Sequence, residues 1–167
     1  MVRRFRGDGV QKMDGKGRVS LPPQFRRVLE ECDPNWSDGK APEFVIVYGG
    51  DDRNFLECFT IDAANEVDTK IAALARGSAR RRYMERLFNG QSMMASVDDT
   101  GRFVLPARLR QKINVGQESG AYVIAMGDTF QIWNEKTFDG HDPEVEEVRK
   151  SIPPGADVWT LLEMEDV

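Results

Sequence analysis

Residues 14 to 30 align with residues 98 to 114 without a gap, and six of the seventeen positions are identical: Asp14/Asp98, Gly17/Gly101, Arg18/Arg102, Leu21/Leu105, Pro22/Pro106 and Arg26/Arg110. The likeness continues downstream, where FVIVYGGDDRNFLECFT (44–60) parallels YVIAMGDTFQIWN (122–134) with a longer turn in the first copy. A repeat of this kind builds a fold from two copies of one supersecondary unit, neither of which closes a core alone. It divides the 167 residues into a first repeat (1–60), an insert (61–92), a second repeat (93–134) and a C-terminal segment (135–167).

Each copy has the same local grammar. An extended stretch, Val10 to Met13 or Met93 to Val97, runs into a turn at Asp14-Gly15 or Asp98-Asp99-Thr100-Gly101, where short polar side chains and a positive-φ glycine are at home. RVSLP or RFVLP runs back as a second strand, which ends because the residue before proline is pushed away from helical angles. Pro22 or Pro23 and Pro106 suit the first turn of a short helix, where a missing N–H costs little. Phe25, Val28 and Leu29 form its apolar face in copy one, and Leu109 with Ile113 in copy two. A hairpin follows, turning at GGDDRN or GDT. The fold class expected is α+β: two pseudo-symmetric β-α-β-β repeats closing a small barrel or sandwich of short strands.

The insert reads as two helices. Asp62 is the expected cap of the first, with Val67, Ile71 and Leu74 on one stripe; Ser78 is the expected cap of the second, with Tyr83, Met84, Leu87 and Phe88 on its buried side. Thr137 to Ile152 carries Val145, Val148 and Ile152 at helical spacing among acids, and the tail beyond it holds Val158, Trp159, Leu161 and Leu162, many apolar residues for a dangling end.

The net charge of −5 conceals two working surfaces. Residues 1 to 27 hold eight Lys/Arg against Asp8 and Asp14, whereas residues 134 to 167 hold ten Asp/Glu against Lys136, Arg149 and Lys150. Only the basic head suits a polyanion. The longest clean apolar run, FVIVY at 44–48, is far short of the roughly 20 residues of a membrane span, and MVRRFRGDG leads into no apolar segment, so the address expected is cytoplasmic. Cys32 and Cys58 stand in no metal or redox spacing and read as packing thiols.

Catalytic chemistry has little to stand on. The single histidine, His141, sits in a loop-like FDGHDPE, and neither HExxH, GxSxG nor CxxC occurs. GKGRVS at 15–20 lacks the spacing and the Lys-Ser/Thr pair of a phosphate loop, and Asp98-Asp99 is explained by turn chemistry. No catalysis, metal or cofactor is expected.

What recurs instead is Asp-x-x-x-Arg. The carboxylates of Asp14 and Asp98 are placed to hold the turn, by capping its amides or gripping the guanidinium of Arg18 or Arg102 while that side chain points outward. Arg18 differs from its twin in its neighbours: Lys12 and Lys16, with Arg3, Arg4 and Arg6 on the preceding arm, where copy two offers Ala95, Ser96 and Thr100. Turn shape does not require those cations, but phosphate oxygens and groove edges do, through counterion release and bidentate donation to guanine. Arg102 reads equally as a turn-shaping or a DNA-contacting residue. Arg26 and Arg27 are placed to extend the patch or to form a solvated face, and RGSARRR at 76–82 reads as a wet helix face outside the site.

FRGDGVQKMDGKGRVSLPPQFR followed by VDDTGRFVLPARLR closely resembles the MraZ family, a bacterial branch of the AbrB/SpoVT swapped-hairpin regulators, from about Phe5 to Trp133. The resemblance implies an AbrB/SpoVT-like small β-barrel with a helical insert. It implies a nucleoid-associated transcriptional regulator that binds promoter repeats in double-stranded DNA, at the division and cell-wall gene cluster that includes its own gene. Arg18 would be the foremost DNA residue, Arg102 its counterpart, and Asp14 and Asp98 the holders of the loops, on a closed ring of subunits without membrane or small-molecule substrate. The rival from another class is a ring-forming scaffold that docks division or cell-wall proteins, its basic turn incidental; an antitoxin-like regulator is a nearer rival.

Overall fold

A computed structural model describes residues 4–140 and 142–165. Arg3 and His141 lie outside the described residues. The chain divides into two compact units, residues 1–137 and 138–167.

In the first unit, copy one comprises β1 (Asp8–Gln11), β2 (Arg18–Ser20), α1 (Pro23–Glu31), β3 (Glu43–Val47) and β4 (Leu56–Thr60). The insert follows as α2 (Ile61–Ala72), α3 (Ala79–Met84) and a π-helical turn at Glu85–Gly90. Copy two repeats the order with β5 (Ser92–Ser96), β6 (Arg102–Val104), α4 (Ala107–Ile113), β7 (Ala121–Ala125) and β8 (Thr129–Asn134). Six strands form one antiparallel sheet in the order β1-β7-β8-β4-β3-β5, and β2 pairs only with β6.

The copies exchange their first strands. β1 lies on β7, with Gly9 opposite Val123, and β5 lies on β3, with Met94 opposite Val45. In the two-stranded ribbon Val19 stands opposite Phe103. The Leu21 amide donates to the Gly101 carbonyl and the Leu105 amide to the Gly17 carbonyl, both at 2.8 Å, so each turn is stitched to the strand that follows the other. This exchange is the physical form of the dependence the repeat implies: each copy completes its twin's sheet.

Alternation along the strands gives the sheet two apolar faces. Phe44, Ile46, Cys58, Phe130 and Ile132 join Val19 and Phe103 of the ribbon, Phe25 and Leu29 of α1, and Leu109 and Ile113 of α4 in the main core. Phe130 is fully buried among the rings of Phe5, Phe25 and Phe44, at 5.0 to 5.8 Å between centroids. Val45, Val47 and Phe59 face the other way and pack against Ala64 and Ile71 of α2 and Phe88 of the π turn. The ribbon and its turns therefore lie over one face of β3 and β4, and the insert over the other. Cys32 and Cys58 are free and buried, and burial pushes the Cys58 thiol up.

The sequence expectations need four corrections. The strands form an open six-stranded sheet with a ribbon across it rather than a continuous closed barrel, because β2 and β6 are three residues each, stop before a proline and, among the described residues, pair only with one another apart from the bridge of Val19 to Met13 and the bonds of the turns. Thr60, not Asp62, caps α2: its hydroxyl accepts from the Ala63 amide at 3.0 Å, leaving Asp62 in the first turn, where a negative charge suits the helix dipole. Pro106 precedes α4, whose first helical residue is Ala107. Tyr83 is 62% exposed, since 100° per residue carries it off the stripe that Met84, Leu87 and Phe88 turn inward. Ser78 does cap α3, accepting from the Arg81 amide at 3.1 Å.

In the second unit, α5 spans Pro143–Lys150, shorter at both ends than the 137–152 periodicity suggests. Asp142 caps it, with Glu144 and Glu146 in the first turn and Arg149 and Lys150 in the last, the order the helix dipole favours. A 3-10 turn at Val158–Leu162 is capped by Asp157, and its Trp159 and Leu162 are exposed.

Candidate nucleic-acid interface

The turn between β1 and β2 is built by one carboxylate. Oδ1 of Asp14 accepts from the backbone amides of Lys16 and Arg18, each at 2.9 Å, and Oδ2 accepts from Nε of Arg18 at 2.6 Å. The Gly17 amide closes the β-turn on the Asp14 carbonyl at 3.1 Å, and Gly17 takes a φ of +79°, a region where a β-carbon is costly. Met13 and Val19 bridge just outside the turn. The second turn copies the first: Oδ1 of Asp98 accepts from the amides of Thr100 and Arg102 at 2.9 Å, the Gly101 amide meets the Asp98 carbonyl at 3.0 Å, and Gly101 also has a φ of +79°.

These bonds keep both carboxylates ionised. The Arg18 backbone amide, opposed by desolvation and helped by the Arg18 side chain and the Lys16 amide, holds the Asp14 carboxyl at about 2, below the ordinary 3.8. The Arg102 amide, followed by the Thr100 hydroxyl, lowers Asp98 in the same sense.

The two arginines are held differently. Arg18 is fixed through Nε alone; its terminal Nη groups make no hydrogen bond among the described residues, and the side chain is 30% exposed. Arg102 donates from Nε to the Thr100 hydroxyl at 2.8 Å, with Asp98 at 3.7 Å, while its Nη1 lies 3.8 Å from Asp14 of the other turn. The stitching of the ribbon brings the turns close enough for that cross-copy pair. Each arginine thus spends its Nε on an acceptor of its own turn, Asp14 for Arg18 and Thr100 for Arg102, and they differ in the approach of Arg102 Nη1 to Asp14.

Of the expected site residues, Asp14, Lys16, Arg18, Asp98 and Arg102 come together at the turns, with Lys12 exposed just before the first. Arg4 and Arg6 do not join them. Phe5 between them bridges Gly127 in the β7–β8 turn, at the opposite end of β1, and Gln24 bonds to the Arg4 carbonyl and the Arg6 amide. An extended strand puts the ends of the nine residues from Arg6 to Asp14, eight steps apart, at roughly 25 Å. Arg110 of α4, which sequence reasoning left aside, lies against the first turn: a β-carbon on Gly17 would sit 2.6 Å from its Nη1. It also lines an open groove of about 590 Å³ with Asp14, Gly15 and Gln111. The identity of Arg26 with Arg110 was the available signal, but the strand exchange that brings α4 to the other copy's turn is not written in it. Arg26 itself faces Glu30 at 3.6 Å.

Among the described residues no group of three or more His, Cys, Asp and Glu side chains is arranged for a metal ion, and no helix is long and apolar enough to cross a membrane. The arrangement offers a partly exposed guanidinium on a hydrogen-bonded turn, with Lys16 in the same turn and Arg102 and Arg110 brought against it from the other copy.

Sequence comparison relates the chain to known proteins. A family model described as "MraZ protein, putative antitoxin-like" matches residues 88–150. A protein of Ruegeria sp. (strain TM1040) named Transcriptional regulator MraZ is 55% identical over 166 residues, covering 99% of this chain and 97% of its own length. Proteins of the same name from Ruegeria pomeroyi and Cereibacter sphaeroides (strain ATCC 17025) are 54% and 41% identical, each spanning 98% of this chain and 97% and 98% of their own lengths.

Proposed function

The chain belongs to the MraZ family, one of transcriptional regulators rather than enzymes, and from that premise we propose that it is a sequence-specific DNA-binding repressor. Its target is the promoter of the division and cell-wall gene cluster, its own gene included, which places it at the nucleoid. The observation that carries the reading is the open fork of Arg18, pinned by Nε to Asp14 at 2.6 Å with both Nη groups unengaged among the described residues. A guanidinium so held loses little freedom on donating twice to a guanine edge or a phosphate, and discrimination by one such pair amounts to about 1–3 kcal/mol.

Lys12, Lys16 and Arg110 supply phosphate contacts beside it, and Arg102 extends the contact from the second turn. Arg3, Arg4 and Arg6 contribute as flanking positive charge. One turn binds weakly, so the reading includes a homo-oligomeric ring whose turns engage repeated promoter elements together and gain from effective concentration. Val10 and Met94, half exposed on the two edge strands of the sheet, suit contacts between copies.

The test is a gel-shift titration of Arg18→Ala on the DNA upstream of the chain's own gene, with circular dichroism and elution volume as folding and assembly controls. Promoter affinity is expected to fall at least tenfold with the controls unchanged. Unchanged affinity overturns the proposal, and a complex indifferent to salt between 50 and 200 mM favours the protein scaffold, because phosphate contacts weaken steeply as salt rises.

A further inference from the structure

The insert carries a concentration of charge that the turns do not use. Between residues 76 and 86 there are five arginines and one acid, Glu85. Two of the arginines shape the backbone. Nη1 of Arg81 donates to the carbonyls of Ala72 and Leu74 at 3.3 and 3.1 Å, closing the end of α2, and its Nε meets Glu85. Nη1 of Arg82 donates to the Gly77 carbonyl at 2.7 Å. Arg76, Arg80 and Arg86 are exposed, with no hydrogen bond or ion pair among the described residues. Arg82 and Arg86 stand four residues apart, a like-charge spacing that weakens a helix unless something neutralises it.

We propose that this face of the insert is a second binding surface for the phosphodiester backbone of double-stranded DNA, separate from the turns. Four of the arginines, 76, 81, 82 and 86, line an open groove of about 340 Å³ with Glu85 and no apolar residue. A protein partner needs an apolar anchor at the centre of its contact, whereas a row of phosphates needs guanidinium forks. From Arg80 to Arg86 the helix rises roughly 9 Å, more than a single phosphate spans. Asp51 and Asp52 line the neighbouring groove beside Arg86 and bound the positive surface on that side. The insert covers the face of β3 and β4 opposite the ribbon, so within one subunit the duplex gripped by the turns is not the one held here. The choice of DNA as the polyanion rests on the function proposed above; the guanidinium-lined groove does not.

The test uses a duplex without promoter repeats, followed by fluorescence anisotropy across 50–200 mM salt. Four full-length proteins are compared: the parent, Arg18→Ala, Arg76→Gln/Arg80→Gln/Arg86→Gln, and all four changes together. The triple change is expected to weaken this duplex at least tenfold and to reduce the salt slope by about three, one for each guanidinium withdrawn from a phosphate, with or without Arg18→Ala. Promoter affinity of the triple variant is expected to stay within a few-fold of the parent. Non-promoter binding that is unchanged by the triple substitution in the Arg18→Ala background overturns the site, as does equally tight capture of labelled polyglutamate by the parent. Failure of the turn reading would be seen separately, as promoter affinity that Arg18→Ala leaves intact.

Discussion

Gly17 and Gly101 share a φ of +79° and the same place in their turns, yet alanine should be tolerated unequally at the two positions. Both substitutions force an L side chain into a left-handed backbone, at about 1 to 2 kcal/mol. At Gly101 the added methyl meets only the Leu21 carbonyl oxygen at 3.7 Å, an ordinary approach. At Gly17 it meets the Leu105 carbonyl oxygen at 3.1 Å and Nη1 of Arg110 at 2.6 Å. The guanidinium can swing away, but the carbonyl belongs to the strand whose amide is bonded to Gly17 itself, so relief there opens the stitch between the copies. Breaking that bond adds roughly 1 kcal/mol, giving about 2 to 3 kcal/mol for Gly17→Ala against about 1 to 2 for Gly101→Ala. For a chain of this size the difference is a melting temperature lower by a few degrees. Thermal unfolding followed by circular dichroism, at matched protein concentration so that assembly contributes equally, measures it. Promoter affinity should follow the same order, because Gly17→Ala moves Arg110 and the backbone under Arg18. Equal melting temperatures, or a lower one for Gly101→Ala, would refute the reasoning from packing.

Acid should spare the first turn. Asp14 has its folded value depressed to about 2, so what it contributes is fully present above the unfolded value of 3.8 and is lost as pH falls through about 2; carbon-detected NMR titration should place its midpoint there, and Arg18→Ala should move the midpoint up. Phe130→Ala removes the ring that Phe5, Phe25 and Phe44 surround and should cost about 3 to 5 kcal/mol in denaturant unfolding. Arg102→Ala should lower promoter affinity less than Arg18→Ala, since its Nη1 is already drawn toward Asp14 of the first turn; equal losses in parallel gel shifts would show that the second turn reads DNA as fully as the first.

The repeat made most of the first unit legible. Asp-x-x-x-Arg with a following Leu-Pro located both turns, both short helices and the carboxylate grip, because each is a local event among residues within about five positions of one another. Strand exchange was not legible: β1 and β5 alternate as edge strands would in any sheet, and nothing in Val10 or Met94 specifies that the partner lies in the other copy. The place of Arg110 was hidden for the same reason. Thr60 and Asp62 are both good capping types two residues apart, so the start of α2 depended on where β4 ends, which the pairing of Thr60 with Phe44 of β3 decides. Helical spacing puts Tyr83 at the margin of the stripe that Met84, Leu87 and Phe88 form, and its position one step off their centre turns it to solvent.

Duplication has left the two turns alike in backbone and unlike in chemistry. The same aspartate caps the same amides in each, so the shared part is what any tight turn with a positive-φ glycine requires. The difference lies at the third position, Lys16 against Thr100. A threonine hydroxyl there reaches both Asp98 and Nε of Arg102 and stands between them, whereas a lysine cannot accept a hydrogen bond and leaves Arg18 its direct grip on Asp14. The cross-copy approach of Arg102 to Asp14 adds positive charge beside the first turn. One side chain therefore decides which acceptor holds the arginine Nε, Asp14 in the first turn and Thr100 in the second, and Lys16→Thr, which would offer Arg18 the acceptor that Arg102 has, is the substitution that most directly probes that division.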